Sequence, residues 1–142
     1  MNVLFTLHFI KIALASTVIF ICLDLLWLSV VARRIYFKQL GYLAQIRNDR
    51  VKFILPVGLL AQCIIAIGLA AMITVSLQVD NRLMVSVPFG GFCGFVIYAT
   101  YDLTNLSFVK NWPIPITIID IAWGTVQGLI AGFYVYYLMG AL

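Results

Sequence analysis

"FILPVGLLAQCIIAIGLAAMITVSLQV", residues 53–79, is a run of 27 residues without a charged side chain. About 20 consecutive apolar residues are enough to cross the hydrocarbon core of a bilayer as an α-helix. Within lipid, every backbone amide of a single open-ended segment must be hydrogen-bonded inside that segment, and the helix satisfies this requirement. The stretch therefore predicts a transmembrane helix.

Similar apolar segments lie on both sides of this run. Segments of 21, 27 and 32 residues each contain one charged residue, which is Asp24, Asp102 and Asp120 in turn. Each segment is long enough to span a bilayer. We therefore predict an all-α, polytopic membrane protein with one domain, residues 1–142, in which a four-helix bundle has spans at about 8–31, 53–77, 84–108 and 114–139.

The composition supports this class. Hydrophobic residues make up 64% of the chain and charged residues 10%, with a mean hydropathy of +1.10, whereas soluble domains are about 45–50% apolar and 25% charged. Membrane β-strands would give short alternating segments, and the sequence has none. We interpret the first apolar run as a retained span and not a cleaved signal peptide, because Asp24 and Trp27 interrupt it.

Basic residues are concentrated on one side of the predicted bundle. The connection at 32–52 holds six Lys or Arg residues and the turn at Lys110 holds one more, while the other side has Lys11 and Arg82. The positive-inside rule places both of these connections in the cytoplasm and both termini outside. The prediction is a multi-pass protein of the bacterial inner membrane. Its net charge of +4 then reflects topology and attraction to anionic lipids, with no nucleic-acid partner.

The 32–52 connection is amphipathic when it is drawn as a helix. The polar face would consist of Arg34, Lys38, Gly41, Gln45, Asn48, Asp49 and Lys52, and the apolar face of Tyr36, Leu40, Leu43 and Ile46. This pattern is typical of a short helix lying in the head-group plane. Extension of the first or second span beyond the membrane explains the pattern equally well. Gly41 disfavours a helix in either case.

The three intramembrane acids are predicted to lie at one depth. At 1.5 Å per residue, Asp24, Asp102 and Asp120 are about 13, 12 and 9 Å from the predicted cytoplasmic boundary. Each carboxylate would oppose insertion by about 2.5–3.5 kcal/mol if it faced lipid near the helix centre, so we expect the three to face one another or water. No Lys, Arg or His is predicted at this depth. The acids must therefore be protonated, hydrated or matched by a cation from outside the chain.

Other polar and aromatic residues share the helix faces of these acids. They recur at i, i+3, i+4 and i+7 spacing around Asp102 and again around Asp120. One interpretation is a polar core in which Asp, Asn and Gln side chains hold the helices together. The other is a cytoplasm-facing site whose candidate ligand-binding or proton-handling residues are Asp24, Asp102, Asp120, Asn105, Tyr98, Tyr101, Gln127, Gln62, Trp27 and Trp123.

Several chemistries are not supported by the sequence. His8 is the single histidine, and the three cysteines fall in separate predicted spans without CxxC spacing, so we predict neither a metal site nor a cofactor. The spans offer no basic partner that would activate a serine nucleophile, and no catalytic residue is assigned. Gly90, Gly91 and Gly94 are predicted to allow close helix contact, since they lie on a span and not in a phosphate-binding loop.

Four short motifs carry a resemblance to a known family. They are "DLLWL" at Asp24 to Leu28, "TYDLTNL" at Thr100 to Leu106, "NWP" at Asn111 to Pro113 and "DIAWG" at Asp120 to Gly124. With them the chain resembles, over nearly its whole length, a family of small bacterial inner-membrane proteins known as a domain of unknown function. The resemblance implies four helices and a membrane location. It implies no activity.

Two functional hypotheses follow from the residues. In the first, the acidic layer binds or transports a proton, a hard cation or a small amphipathic ligand. In the second, the protein is a lipid-modifying enzyme in which one Asp acts as general acid and another as general base. A non-catalytic accessory subunit, whose Asp residues hold the bundle together, is the remaining alternative. The expected partners are membrane lipids and a small cation or lipid ligand, and the sequence is compatible with a homo-oligomer.

Overall fold

The computed structural model describes residues 3–43, 46–47, 50–51 and 54–142. After a 3₁₀ turn at Val3–Phe5, the helices are α1 (Leu7–Leu26), α2 (Arg33–Leu40), α3 (Leu55–Val79), α4 (Leu83–Phe108) and α5 (Ile114–Ala141), with a π-helical turn at Trp27–Val31 between the first two. Strands β1 (Ile46–Arg47) and β2 (Arg50–Val51) form a short antiparallel pair.

The prediction of four spans is confirmed. Four helices are long and apolar enough to cross a membrane, and they are Leu7–Val31, Leu55–Val79, Leu83–Phe108 and Ile114–Ala141. Pro56 and Pro115 lie in the first turns of α3 and α5, where a missing N–H breaks no helical hydrogen bond. The predicted first residue of the second span, at position 53, lies outside the described residues.

The helix of the first span does not stop at the end of α1. The N–H of Ala32 donates to the carbonyl of Trp27, five residues back, and the N–H of Tyr36 donates to the carbonyl of Ala32. Helical hydrogen bonding therefore passes through the π turn into α2. This arrangement agrees with an extension of the first span past the apolar segment, which was one of the two interpretations of this connection.

A helix over the whole of 32–52 is wrong for the second half of that connection. Helix α2 ends at Leu40, and Ile46 pairs with Val51 in the β1–β2 ladder. Hairpin pairing satisfies the backbone of this segment, and the β-branched Ile46 and Val51 favour extended structure. Four residues of the predicted polar face lie outside the described residues: Gln45, Asn48, Asp49 and Lys52.

Helices α4 and α5 pack through glycines. A Cβ atom on Gly90 would lie 2.9 Å from the Gly132 nitrogen, and one on Gly94 would lie 3.1 Å from the Gly128 Cα. The two backbones can approach this closely only because neither helix carries a side chain there. This is the small-residue packing typical of membrane helices. Gly91 is in close contact with the Leu129 side chain. The predicted packing role of these glycines is confirmed.

The turns hold the helices together at both ends of the bundle. Between α3 and α4, Arg82 forms an ion pair with Asp80, and this hydrogen bond holds the pKa of the Asp80 carboxyl below its usual range. At the other end, the Tyr42 hydroxyl donates to the backbone carbonyl of Asn111. This contact joins the segment after α2 to the α4–α5 turn. We call this end, which carries Arg33, Arg34, Lys38 and Lys110, the basic end.

Candidate functional site

Asp24 is the centre of the polar cluster inside the bundle. Its side chain is 6% exposed, and each of its oxygens accepts a hydrogen bond from a different helix. Gln62 Nε2 on α3 lies 2.6 Å from Oδ2, and Trp123 Nε1 on α5 lies 3.0 Å from Oδ1. Asp24 therefore ties α1 to both α3 and α5.

A pair of tryptophans stacks beside this carboxyl. The rings of Trp27 and Trp123 are parallel within 4°, with centroids 4.4 Å apart. Trp27 is the first residue of the π turn, and π turns inside helices are frequent at functional sites because they redirect side chains. Trp123 thus contacts the first span twice, through its ring face at Trp27 in the π turn and through its N–H at Asp24 in α1. The stack orients the indole that donates to Asp24.

Helices α4 and α5 supply a second hydrogen-bonded pair. The Tyr98 hydroxyl donates to Gln127 Oε1 at 2.8 Å, and Gln127 Nε2 is buried without a hydrogen-bond partner among the described residues. Tyr98 fits against α5 because position 124 is glycine, where a Cβ atom would lie 2.7 Å from the Tyr98 Cβ. The glycine packing of these two helices therefore also positions the polar pair.

The other two acids differ from Asp24 in their surroundings. Asp120 is half-buried and close enough to Asp24 for their charges to interact, and its Oδ1 has no hydrogen-bond partner among the described residues. Asp102 is fully buried, and neither of its oxygens has a partner in the described part of the chain. Tyr98 lies near both Asp24 and Asp102. Charge interactions thus link Asp120 to Asp24, and Tyr98 to both Asp24 and Asp102, and we refer to these residues as the neighbourhood of Tyr98 and Asp24.

Two predicted site residues lie at the edge of this neighbourhood or outside it. The Tyr101 side chain is 63% exposed and packs edge-on against Trp112, so it faces away from the cluster. Asn105 is half-buried, and its Nδ2 lacks a partner among the described residues. Six of the other eight candidates take part in the hydrogen bonds and the ring stack described above: Asp24, Gln62, Trp27, Trp123, Tyr98 and Gln127. The last two are Asp102 and Asp120, which make no hydrogen bond to these six.

A groove of about 1020 Å³ reaches this cluster from the basic end. It lies between the first turns of α3 and the segment formed by the end of α1, the π turn and α2. Its polar floor is Asp24 with Gln62, and its opposite end is lined by Arg33 and Arg34. Its walls are mainly aliphatic and aromatic, and they include Leu25, Leu28, Leu55, Leu59, Tyr36 and Phe37.

The groove is the feature that sequence reasoning missed. Leu25 and Leu55 are 56% and 62% exposed, and an exposed leucine on a groove wall has the same sequence signature as one that faces lipid. Gly58 also lines the groove, and a Cβ atom there would meet nothing within 4 Å. Among the described residues, no group of His, Cys, Asp or Glu side chains is arranged to hold a metal ion.

Comparison with known proteins gives one family. The family model described as "Predicted membrane protein (DUF2177)" matches residues 9–139, which include all four spans and the whole polar cluster. No curated protein and no solved structure matches the chain. The contacts described above are therefore the basis for any more specific functional statement.

Proposed function

We propose that this chain, which belongs to the DUF2177 family of predicted membrane proteins, binds a small amphipathic molecule in the groove. The ligand presents a hydrogen-bond donor to Asp24 and Gln62. The observation that carries the proposal is the position of a buried carboxyl on the floor of a groove whose walls are mainly apolar. We place the basic end at the cytoplasmic face, because Lys and Arg residues are retained on that side.

The hydrogen bonds that Asp24 and Gln62 already make indicate which polar group the ligand should carry. Each Asp24 oxygen accepts one bond, and an ionised carboxylate oxygen has a second lone pair available. Gln62 uses its amide N–H toward Asp24, while its Oε1 has no partner among the described residues. The Asp24 carboxylate therefore has acceptor capacity left at the floor, and the buried Gln62 Oε1 is an unused acceptor beside it. A hydroxyl or an amine on the ligand would satisfy them.

The position of the floor decides where this donor lies on the ligand. Asp24 precedes Arg33 by nine residues, which is about 13 Å along a helix, so it lies well below the level of the head groups. The groove has a volume of about 1020 Å³, at the upper end of the range of about 300–1,000 Å³ for ligand pockets. A chain-like molecule that enters from the basic end would meet Asp24 part-way along its length. The donor is therefore expected about 13 Å from the end of the ligand that lies at the arginines.

The test is a pair of uncharged probes that differ by one hydroxyl. In phosphatidylcholine nanodiscs, methyl 10-hydroxyoctadecanoate should bind the wild type about tenfold more tightly than methyl octadecanoate, the factor that corresponds to one hydrogen bond to a charged group. Asp24→Asn should remove this preference, because its amide nitrogen replaces an acceptor. Binding is measured as the ligand-dependent rise of the unfolding midpoint.

Asp80→Asn is the matched control, since it makes the same substitution at the opposite end of the bundle. It should retain the full preference for the hydroxylated probe. Equal binding of the two esters by the wild type would contradict the proposal, and so would an undiminished preference in Asp24→Asn.

A lipid-modifying enzyme is the second candidate, favoured by the unpartnered Oδ1 of Asp120, a carboxyl that interacts electrostatically with Asp24. In this mechanism the two carboxyls act as general acid and general base. In this case a deletion strain would show an altered lipid profile that the wild-type gene restores. Asp120→Asn would bind the hydroxylated probe but fail to restore the profile, whereas a pure binding protein would not need Asp120 for complementation.

A further inference from the structure

Resting on the proposed function, we infer that the occupant of the groove is a single-chain lipid with an anionic head group, and that Arg33 and Arg34 bind this head group. The ligand then has two polar groups. One is an anion at the basic end of the groove, and the other is the mid-chain donor at Asp24. A hydroxylated fatty acid has this chemistry.

The first step of the argument is the location of the two arginines. Both line the groove although they are consecutive in the sequence, because the groove passes over the first turn of α2. Tyr36 and Phe37, one turn further on, continue the same wall. The groove therefore has a basic end and an acidic floor, separated by apolar walls that match an acyl chain.

The second step is the charge balance of this end. Within the described residues the one ion pair is that of Arg82 with Asp80, at the opposite end of the bundle. Neither Arg33 nor Arg34 forms an ion pair with an acid of the described part of the chain. A guanidinium binds a carboxylate or phosphate through two parallel N–H groups. Two such groups at the end of an apolar groove complement an anionic head.

The third step concerns the number of chains. The groove is bounded by one helical segment on each side, and its volume suits a ligand of drug-like size. One acyl chain can extend along it from the arginines to Asp24. A two-chain phospholipid would have to leave its second chain in the bilayer, so a single-chain lipid makes fuller use of the walls.

Lys38 makes it possible to distinguish head-group binding in the groove from a general attraction between basic residues and anionic lipids. It lies on α2, one turn beyond Arg34, and it is exposed, but it does not line the groove. If the arginines act only by attracting anionic lipid to the membrane surface, neutralising Lys38 should have a similar effect to neutralising one arginine. If they bind a head group in the groove, Lys38 should contribute little.

The experiment compares 10-hydroxyoctadecanoate with its methyl ester in phosphatidylcholine nanodiscs, at alkaline pH so that the free acid is ionised. The wild type should bind the acid at least about tenfold more tightly than the ester, since a charge-assisted hydrogen bond corresponds to such a factor. The double variant Arg33→Gln with Arg34→Gln should lose this advantage and bind the ester as the wild type does. Lys38→Gln should retain it.

The outcomes distinguish this inference from the proposed function. Equal binding of acid and ester by the wild type overturns the head-group inference, while a persisting preference for the hydroxylated ester keeps the proposed function. Loss of the acid's advantage in Lys38→Gln to the same extent as in the double variant also overturns the inference. Conversely, an arginine-dependent preference for the acid without any effect of the mid-chain hydroxyl supports the head-group site and contradicts the role of Asp24. Unchanged affinity for the ester shows that the double variant is folded.

Discussion

Gly128→Ala is expected to lower the free energy of unfolding by about 1–3 kcal/mol, the usual cost of overpacking a well-packed site. The added Cβ would lie 3.1 Å from the Gly94 Cα and 2.9 Å from the Gly90 carbonyl carbon. Both are backbone atoms, so no side-chain rotation can relieve the contact. Helices α4 and α5 would have to separate. Separation would also move Tyr98, which the glycine face positions against Gln127.

Gly68→Ala is the matched control for this prediction. It also lies inside a membrane helix, but a Cβ atom there would meet nothing within 4 Å. Within a helix, alanine is more stable than glycine by about 0.5–1 kcal/mol. Gly68→Ala should therefore leave the free energy of unfolding unchanged or raise it slightly. Reversible unfolding in mixed micelles, followed by circular dichroism, measures both variants. Equal stability of the two variants would show that the glycine contact does not limit the packing of α4 and α5.

The second large effect is that replacing two buried acids, Asp102 and Asp24, by leucine should change the free energy of unfolding in opposite directions. Asp102→Leu is expected to raise the free energy of unfolding by about 1–3 kcal/mol, because a buried polar group without a partner costs about this amount and an apolar replacement of similar volume avoids it. Both Asp102 oxygens lack a partner among the described residues. The substitution also removes an acid from a membrane span, where acids are unfavourable.

Asp24→Leu is expected to have the opposite effect. It would leave Gln62 Nε2 and Trp123 Nε1 without their acceptor, and each unsatisfied buried donor costs about 1–3 kcal/mol. The same unfolding measurement compares the two leucine variants directly. A destabilised Asp102→Leu variant would contradict the prediction and would show that the carboxyl has a partner in the membrane, such as a bound water or a ligand group.

A stabilising substitution at Asp102 would bear on function as well. A chain that retains a costly buried acid in a span gains no stability from it, so its retention would have to reflect another role. Intramembrane acids that do not contribute to packing are characteristic of binding and proton-transfer sites. The stability contrast between Asp24 and Asp102 therefore separates a carboxyl that holds helices together from one that does not.

The sequence determined the number and approximate limits of the spans, because the bilayer imposes both a length and complete internal hydrogen bonding on each apolar segment. A common depth of Asp24, Asp102 and Asp120 follows from the rise per residue of a helix and stays a prediction. The glycines at 90, 91 and 94 could be assigned to helix packing from the sequence, because glycines within a membrane span typically allow close contact between helices.

The tertiary structure alone decided which faces meet. Helical periodicity placed Tyr101 on the same face as Asp102, yet Tyr101 is exposed while Asp102 is buried. The reason is that the neighbouring helices cover only part of the polar face of α4. The Asp24 bonds to Gln62 and Trp123 depend on the rotation of α1, α3 and α5 about their axes, and the glycine contacts with α4 constrain that of α5. The groove depends on how the end of α1, the π turn and α2 pack relative to the first turns of α3. No residue encodes this packing locally, since an apolar side chain that faces a groove and one that faces lipid satisfy the same hydrophobic requirement.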